Sequence, residues 1–160
     1  MLINVIGFNL CWFGLVIWEN SFIPVALIML IAHIVSVNHR QHELLLILIT
    51  SSIGICVDSV FQYLGFFIFS ETQHIPFWLM TLWACFAATL GHSLSFLDSS
   101  YVLQSTVGAV FAPLSYIGGF KLNVVDFAQS ILITYITLST VWACLFLVFF
   151  FIKSRVYGIR

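Results

Sequence analysis

The feature that most constrains this chain is a series of apolar runs separated by short polar breaks, at residues 2–18, 22–37, 44–69, 76–97, 101–118 and 128–152. A bilayer core about 30 Å thick takes roughly 20 apolar residues as helix, and somewhat fewer for a short span. The runs are continuous rather than alternating, which argues for helices and against a β-barrel. Only 7% of the residues are charged and 62% are hydrophobic, whereas soluble domains carry about a quarter charged residues. A water-facing surface could not be built from this composition. The expected fold is all-α: a single transmembrane helical domain over 1–160, an integral membrane bundle of six transmembrane helices. The first two runs are short, so the alternative is four full spans plus a short re-entrant first helical pair.

The same composition removes several function classes. A net charge of −1 with five basic residues supplies no groove for nucleic acid. Cys11, Cys56, Cys85 and Cys144 all sit in apolar runs without a C-x-x-C pair, so no zinc or redox motif is present and no cofactor is expected. No Lys or Arg precedes the first run and no small-residue cleavage site ends it, unlike a secretory signal peptide. The two halves share no motif beyond hydrophobicity, so there is no inverted repeat of the transporter kind.

Polar residues inside the runs are the candidates for function. Asp58 lies about 21 Å into its run at 1.5 Å per helical residue. A carboxylate at that depth faces protein or water, not lipid. It either serves a proton, cation or polar ligand, with Gln62 one turn on along the same face, or pins helices by hydrogen-bonding Tyr116 or a backbone carbonyl. A shallower polar layer holds His33, His92, Asn9 and Gln104. The expected ligand-binding set is therefore Asp58, Gln62, His92, His33, Asn9, Gln104 and Tyr116. His33 and His92 share a depth but lack a third ligand, so no metal site is expected. His39 and His42, with Arg40 and Glu43, read as a solvated turn or a contact for anionic headgroups. In ATLGHSLSFLDSS (88–100), Ser93 adjoins His92 and cannot face it on a helix, and no G-x-S-x-G elbow is present, which argues against a serine hydrolase. Pro113, in GAVFAPLSYIGGF (108–120), either breaks its helix to expose backbone groups or merely kinks it.

The order G-x3-D, then G-H-S-L-S-F, then G-x4-P-L-S-Y-x-G-G resembles an uncharacterised family of small multi-spanning bacterial inner-membrane proteins, known as a domain of unknown function. The resemblance falls on Gly54, Asp58, Gly91, His92, Ser93, Pro113, Tyr116 and Gly118. Members of that family tend to be encoded beside genes for modifying membrane fatty acids, and the resemblance assigns no residue a catalytic role. In architecture, and in Gly54, Asp58 and Gly65, the chain is also similar to substrate-binding subunits of energy-coupling-factor transporters and a small cell-shape protein that resembles them.

The resulting expectation is a bacterial inner-membrane protein that binds a lipid or hydrophobic metabolite, accessory to lipid or fatty-acid metabolism. Its expected partners are membrane lipids and a membrane-associated lipid-modifying enzyme. The alternatives are an intramembrane lipid-modifying enzyme using His92 and Asp58, and a transporter subunit. With six crossings, Arg40, Lys153, Arg155 and Arg160 share one side with both termini, and Lys121 faces the other. The positive-inside rule then makes both termini cytoplasmic. A fluorescent reporter that matures only in the cytoplasm, fused after Arg160, should be bright. A dark but stably expressed fusion, with an active periplasmic reporter at the same site, would refute this orientation.

Overall fold

The apolar runs become helices, but with different ends and with fewer membrane-crossing segments than six. In a computed structural model, which describes residues 2–69 and 74–158, six α-helices run alternately between two ends of a bundle. They are α1 (Leu2–Trp18), α2 (Ile23–Ser36), α3 (Arg40–Tyr63), α4 (Phe77–Ala87), α5 (Tyr101–Lys121) and α6 (Ile131–Tyr157). Ser70 to Gln73, in the polar break before α4, and Arg160, counted above among the basic residues, lie outside the described residues.

Three stretches are long and apolar enough to cross a membrane: Leu2–Ser36, Arg40–Tyr63 and Ile131–Tyr157. Six crossings are not supported. The first stretch contains α1 and α2, which double back on one another. Glu19, at φ 47°, opens a 3-10 turn over Glu19–Phe22, and across the hairpin the Cys11 thiol meets Met29 sulfur at 3.8 Å. α4 is too short, at 11 residues. α5 is long enough but diluted by Gln104, Ser105, Thr106, Pro113 and Ser115.

Two predicted runs stop early for local reasons. The run 44–69 leaves the helix at Tyr63, and Gly65 at φ 74° reverses the chain. Phe67–Ile68 then pairs antiparallel with Asp126–Phe127, a two-residue ladder that closes one end of the bundle. The run 76–97 loses its helix at Ala87 and continues as turns into a 3-10 segment, Ser95–Leu97. There Thr89 Oγ1 donates to the Phe86 carbonyl and Ser95 Oγ to the His92 carbonyl. Such side-chain bonds offer the backbone an alternative to the helix ladder, and Gly91 adds the poorest helix former short of proline.

The outer surface is apolar and the interior aromatic. Leu2, Ile3, Phe77, Val102 and Leu132 are all well exposed, as suits lipid-facing positions. Inside, the Trp83 and Trp142 rings stack at 5.0 Å, nearly parallel at 4°, with Phe86 and Phe149 edge-on or tilted around them. Asn20 Oδ1 at the hairpin tip accepts from the Trp78 N–H, taking up one of the orphan donors in the first turn of α4.

The most extensive helix pair is α5 with α6. Their close approach depends on Gly108: a Cβ there would lie 2.6 Å from the Trp142 carbonyl oxygen and 2.8 Å from the Phe146 ring. Pro113 does not break α5, which stays helical from Tyr101 to Lys121, so no unwound backbone is offered to a ligand there. We expect Gly108→Val to lower stability by about 1–3 kcal/mol, because a backbone oxygen cannot yield as a flexible side chain can. Gly7→Ala, whose added Cβ meets only Met29 Cε at 3.7 Å, should be near neutral. Apparent melting temperatures in detergent check both.

Candidate functional site

Side chains from four segments converge at the end of the bundle where α2 ends, α3 begins and α6 finishes. The central group is Glu43, in the first turn of α3 and fully buried at 0% exposure. This corrects the reading of Glu43 as part of a solvated turn. The helix starts at Arg40, so Glu43 lies one turn inside it and faces the bundle rather than water. Its Oε1 lies 2.8 Å from His33 Nε2 in the last turn of α2. Its Oε2 accepts from the Tyr157 hydroxyl in the last turn of α6, and His92 Nε2 approaches the same oxygen at 3.3 Å. The His33 and His92 rings meet edge to face at 4.7 Å.

His92 reaches this point because α4 has ended. Asn4 of α1 holds the irregular segment: its Nδ2 donates to the Ala88 carbonyl at 3.0 Å and its Oδ1 accepts from the Ser93 N–H at 3.2 Å. Non-helical backbone at a membrane boundary is tolerated where protein satisfies it in this way. Gly91 lies against the cluster: a Cβ there would stand at ordinary contact distance, 3.4 Å from Glu43 Oε2 and 3.5 Å from the Tyr157 hydroxyl. Asn4 escaped the sequence reading, because an isolated asparagine near a helix start has no pattern that names its partner.

A cavity of about 740 Å³ opens beside the cluster. One part of its wall is apolar, with Ile3, Phe8, Met29 and Leu30, and His33, Glu43, His92 and Tyr157 line another part. Cys11 and Cys85 also line it.

The other predicted residues have different fates. Asn9 is exposed and donates to the Val5 carbonyl of its own helix. Gln104 is buried with Nε2 on the Leu97 carbonyl, and lines neither this cavity nor the smaller one described below. Gln62 is half-buried one turn beyond Asp58. The Ser-His-Asp composition of 88–100 forms no relay: Ser95 bonds the His92 carbonyl, and both Asp98 oxygens accept from Lys153 Nζ at 2.7 Å.

Asp58 and Tyr116 form a separate, deeper junction. Asp58 is 1% exposed. Its Oδ2 accepts from Trp83 Nε1 at 2.7 Å and its Oδ1 from the Tyr116 hydroxyl at 2.8 Å, so one carboxyl ties α3 to α4 and α5. Gly54, one turn earlier, leaves room for the indole: a Cβ there would fall 2.2 Å from the Trp83 ring. A cavity of about 80 Å³ beside this junction is lined by Trp12, Trp78, Trp83, Tyr116 and Trp142. Asp58 lies some fifteen residues along α3 from Glu43, about 22 Å, and so does not share a site with His92.

A family model described as "Protein of unknown function (DUF2878)" matches residues 1–148. The chain belongs to that family. No curated protein and no solved structure matches it. His33, Glu43, His92 and Asp58 lie within the part that matches the DUF2878 model, whereas Lys153 and Tyr157 lie beyond it.

The Asp58 geometry yields a ranking. Asn at 58 keeps an acceptor for the indole N–H, and its amide can donate to the phenol oxygen. Leu leaves both donors buried without a partner, at about 1–3 kcal/mol each. Asp58→Asn should therefore melt near the parent and Asp58→Leu well below it, with Trp83→Phe between them. Equal melting of Asp58→Leu and the parent would overturn the junction's structural role.

Proposed function

We propose that this DUF2878 protein binds a membrane-derived amphipathic molecule, a lipid or hydrophobic metabolite, in the cavity between α1, α2 and the end of α4. The observation that carries this reading is the composition of the cavity wall. Apolar side chains of α1 and α2 supply surface for a hydrocarbon portion, and the His33–Glu43–His92–Tyr157 group supplies charge and hydrogen bonds for a polar end. Ligand sites generally combine a mostly apolar lining with a few convergent polar groups, and a cavity of about 740 Å³ falls within their usual size.

In this reading the protein sits in a bacterial inner membrane, with the polar end of the cavity on the cytoplasmic side. The distribution of charge supports it: Arg40, Lys153 and Arg155 lie toward the end that carries the cluster and Lys121 toward the other. In the same reading the protein is accessory to a lipid-modifying enzyme that acts on the bound molecule.

Native mass spectrometry of the full chain released from lipid nanodiscs tests binding directly. A retained adduct is expected for the parent. Gly7→Phe, which places a ring in the cavity beside Met29, should lose it while keeping the parent's circular dichroism. An adduct carried equally by Gly7→Phe would place any bound lipid on the outer surface and sink the reading.

A further inference from the structure

We infer that His33, Glu43 and His92 form a binding site for a divalent transition-metal ion of the zinc or ferrous kind, with a coordination position open to the cavity. The three side chains each present a ligand atom, and these atoms lie within 4.8 Å of one another. Two ligands on a zinc ion at 2.0–2.1 Å and tetrahedral angles stand about 3.3 Å apart. The His92 Nε2–Glu43 Oε2 distance is 3.3 Å and the His33 Nε2–Glu43 Oε1 distance 2.8 Å, to different oxygens of one carboxylate, so binding would draw both rings toward a shared ion from a group already gathered within 4.8 Å.

A second observation points to a ligand independently of that spacing. His92 Nε2 is buried, and its 3.3 Å approach to Glu43 lacks the alignment of a hydrogen bond, so this nitrogen has no hydrogen-bond partner. A buried polar atom without a partner costs about 1–3 kcal/mol, which a metal ion bound through the nitrogen lone pair would remove. Glu43 fits the role of an anionic ligand because a second group orients it: the Tyr157 hydroxyl donates to Oε2. Outer hydrogen bonds of this kind fix ligating carboxylates.

The donor set selects the class of ion. Two imidazoles with one carboxylate suit zinc or ferrous iron and disfavour calcium and magnesium, which prefer all-oxygen shells. Three protein ligands leave a further position for water or a ligand atom, as in open metal sites. The cavity lies on that side, since His33, Glu43 and His92 all line it. The ion needs no lipid to bind, so this inference stands or falls apart from the occupant of the cavity.

The test uses the full chain in detergent, purified without a polyhistidine tag, stripped with chelator and titrated with Co²⁺. One ion per chain is expected, with the visible absorption of a low-coordinate cobalt site, displaced by Zn²⁺ and not by Mg²⁺. His33→Ala and His92→Ala should each weaken binding by about 100-fold or more, and Tyr157→Phe by about 10-fold as an outer-shell change. His74→Ala, at an exposed position ahead of α4 and outside the three-ligand group, should bind as the parent does. Because Glu43 is buried, Glu43→Gln is read only alongside its circular dichroism, and the histidine variants decide. Failure of the folded parent to bind Co²⁺ saturably, or undiminished binding by both histidine variants, overturns the site. Metal binding without a lipid adduct refutes only the lipid reading, and an adduct without metal refutes only the ion.

Discussion

Everything in this bundle hangs on the way one carboxyl deep in α3 is satisfied. Asp58 takes an indole N–H from α4 and a phenol O–H from α5. Helices surrounded by lipid gain no hydrophobic drive to associate with one another, so close packing and interhelical hydrogen bonds must supply it. Here both act at a single place. Gly54 lets the Trp83 ring lie against the α3 backbone, Asp58 takes its N–H, and the ring stacks on Trp142 of α6. The Tyr116 ring in turn stacks on Phe67 at 5.1 Å, which links the junction to the short strand pair. One motif, G-x3-D, thus sets the mutual placement of four helices.

That placement produces the cluster at the end of the bundle. With α3, α4 and α6 positioned, Glu43 at the start of α3 comes opposite the point where α4 unwinds and opposite the last turn of α6. The Lys153–Asp98 ion pair holds the same corner, with Lys153 only 4% exposed and its ammonium 5.3 Å from the Phe150 ring centroid. The rigid part of the molecule is apolar and aromatic. The chemically versatile part is confined to one end, where irregular backbone is held by a few polar bonds.

Much of this architecture was legible in the amino-acid order. Apolar runs mark the helices, and the depth of Asp58 singles it out, with Tyr116 or a backbone carbonyl as its candidate partner if it pins helices. Trp83 was hidden as a partner, because tryptophan reads as a hydrophobe and its one donor becomes visible only when a neighbour accepts from it. Glu43 was hidden for the opposite reason. In NHRQHE it looks like one more solvated charge, and only the helix start at Arg40 turns it inward. Its tie to Tyr157 spans 114 residues, a separation at which local pattern carries no signal. Six crossings cannot be read from apolarity alone, because it does not report that the chain doubles back at Glu19, that α4 ends at Ala87 among hydroxyl side chains, or that polar residues dilute α5.

The polar cluster also has a history within each molecule. His33 and Glu43 face each other across a short turn, so the first half of the site can form while the rest of the chain is still being made. His92 joins only when α4 has returned to the same end, and Tyr157 only when the final turn of α6 has arrived. Until both are in place, the histidine–carboxylate pair lacks its remaining neighbours. The last turn of α6 is the piece that completes the cluster.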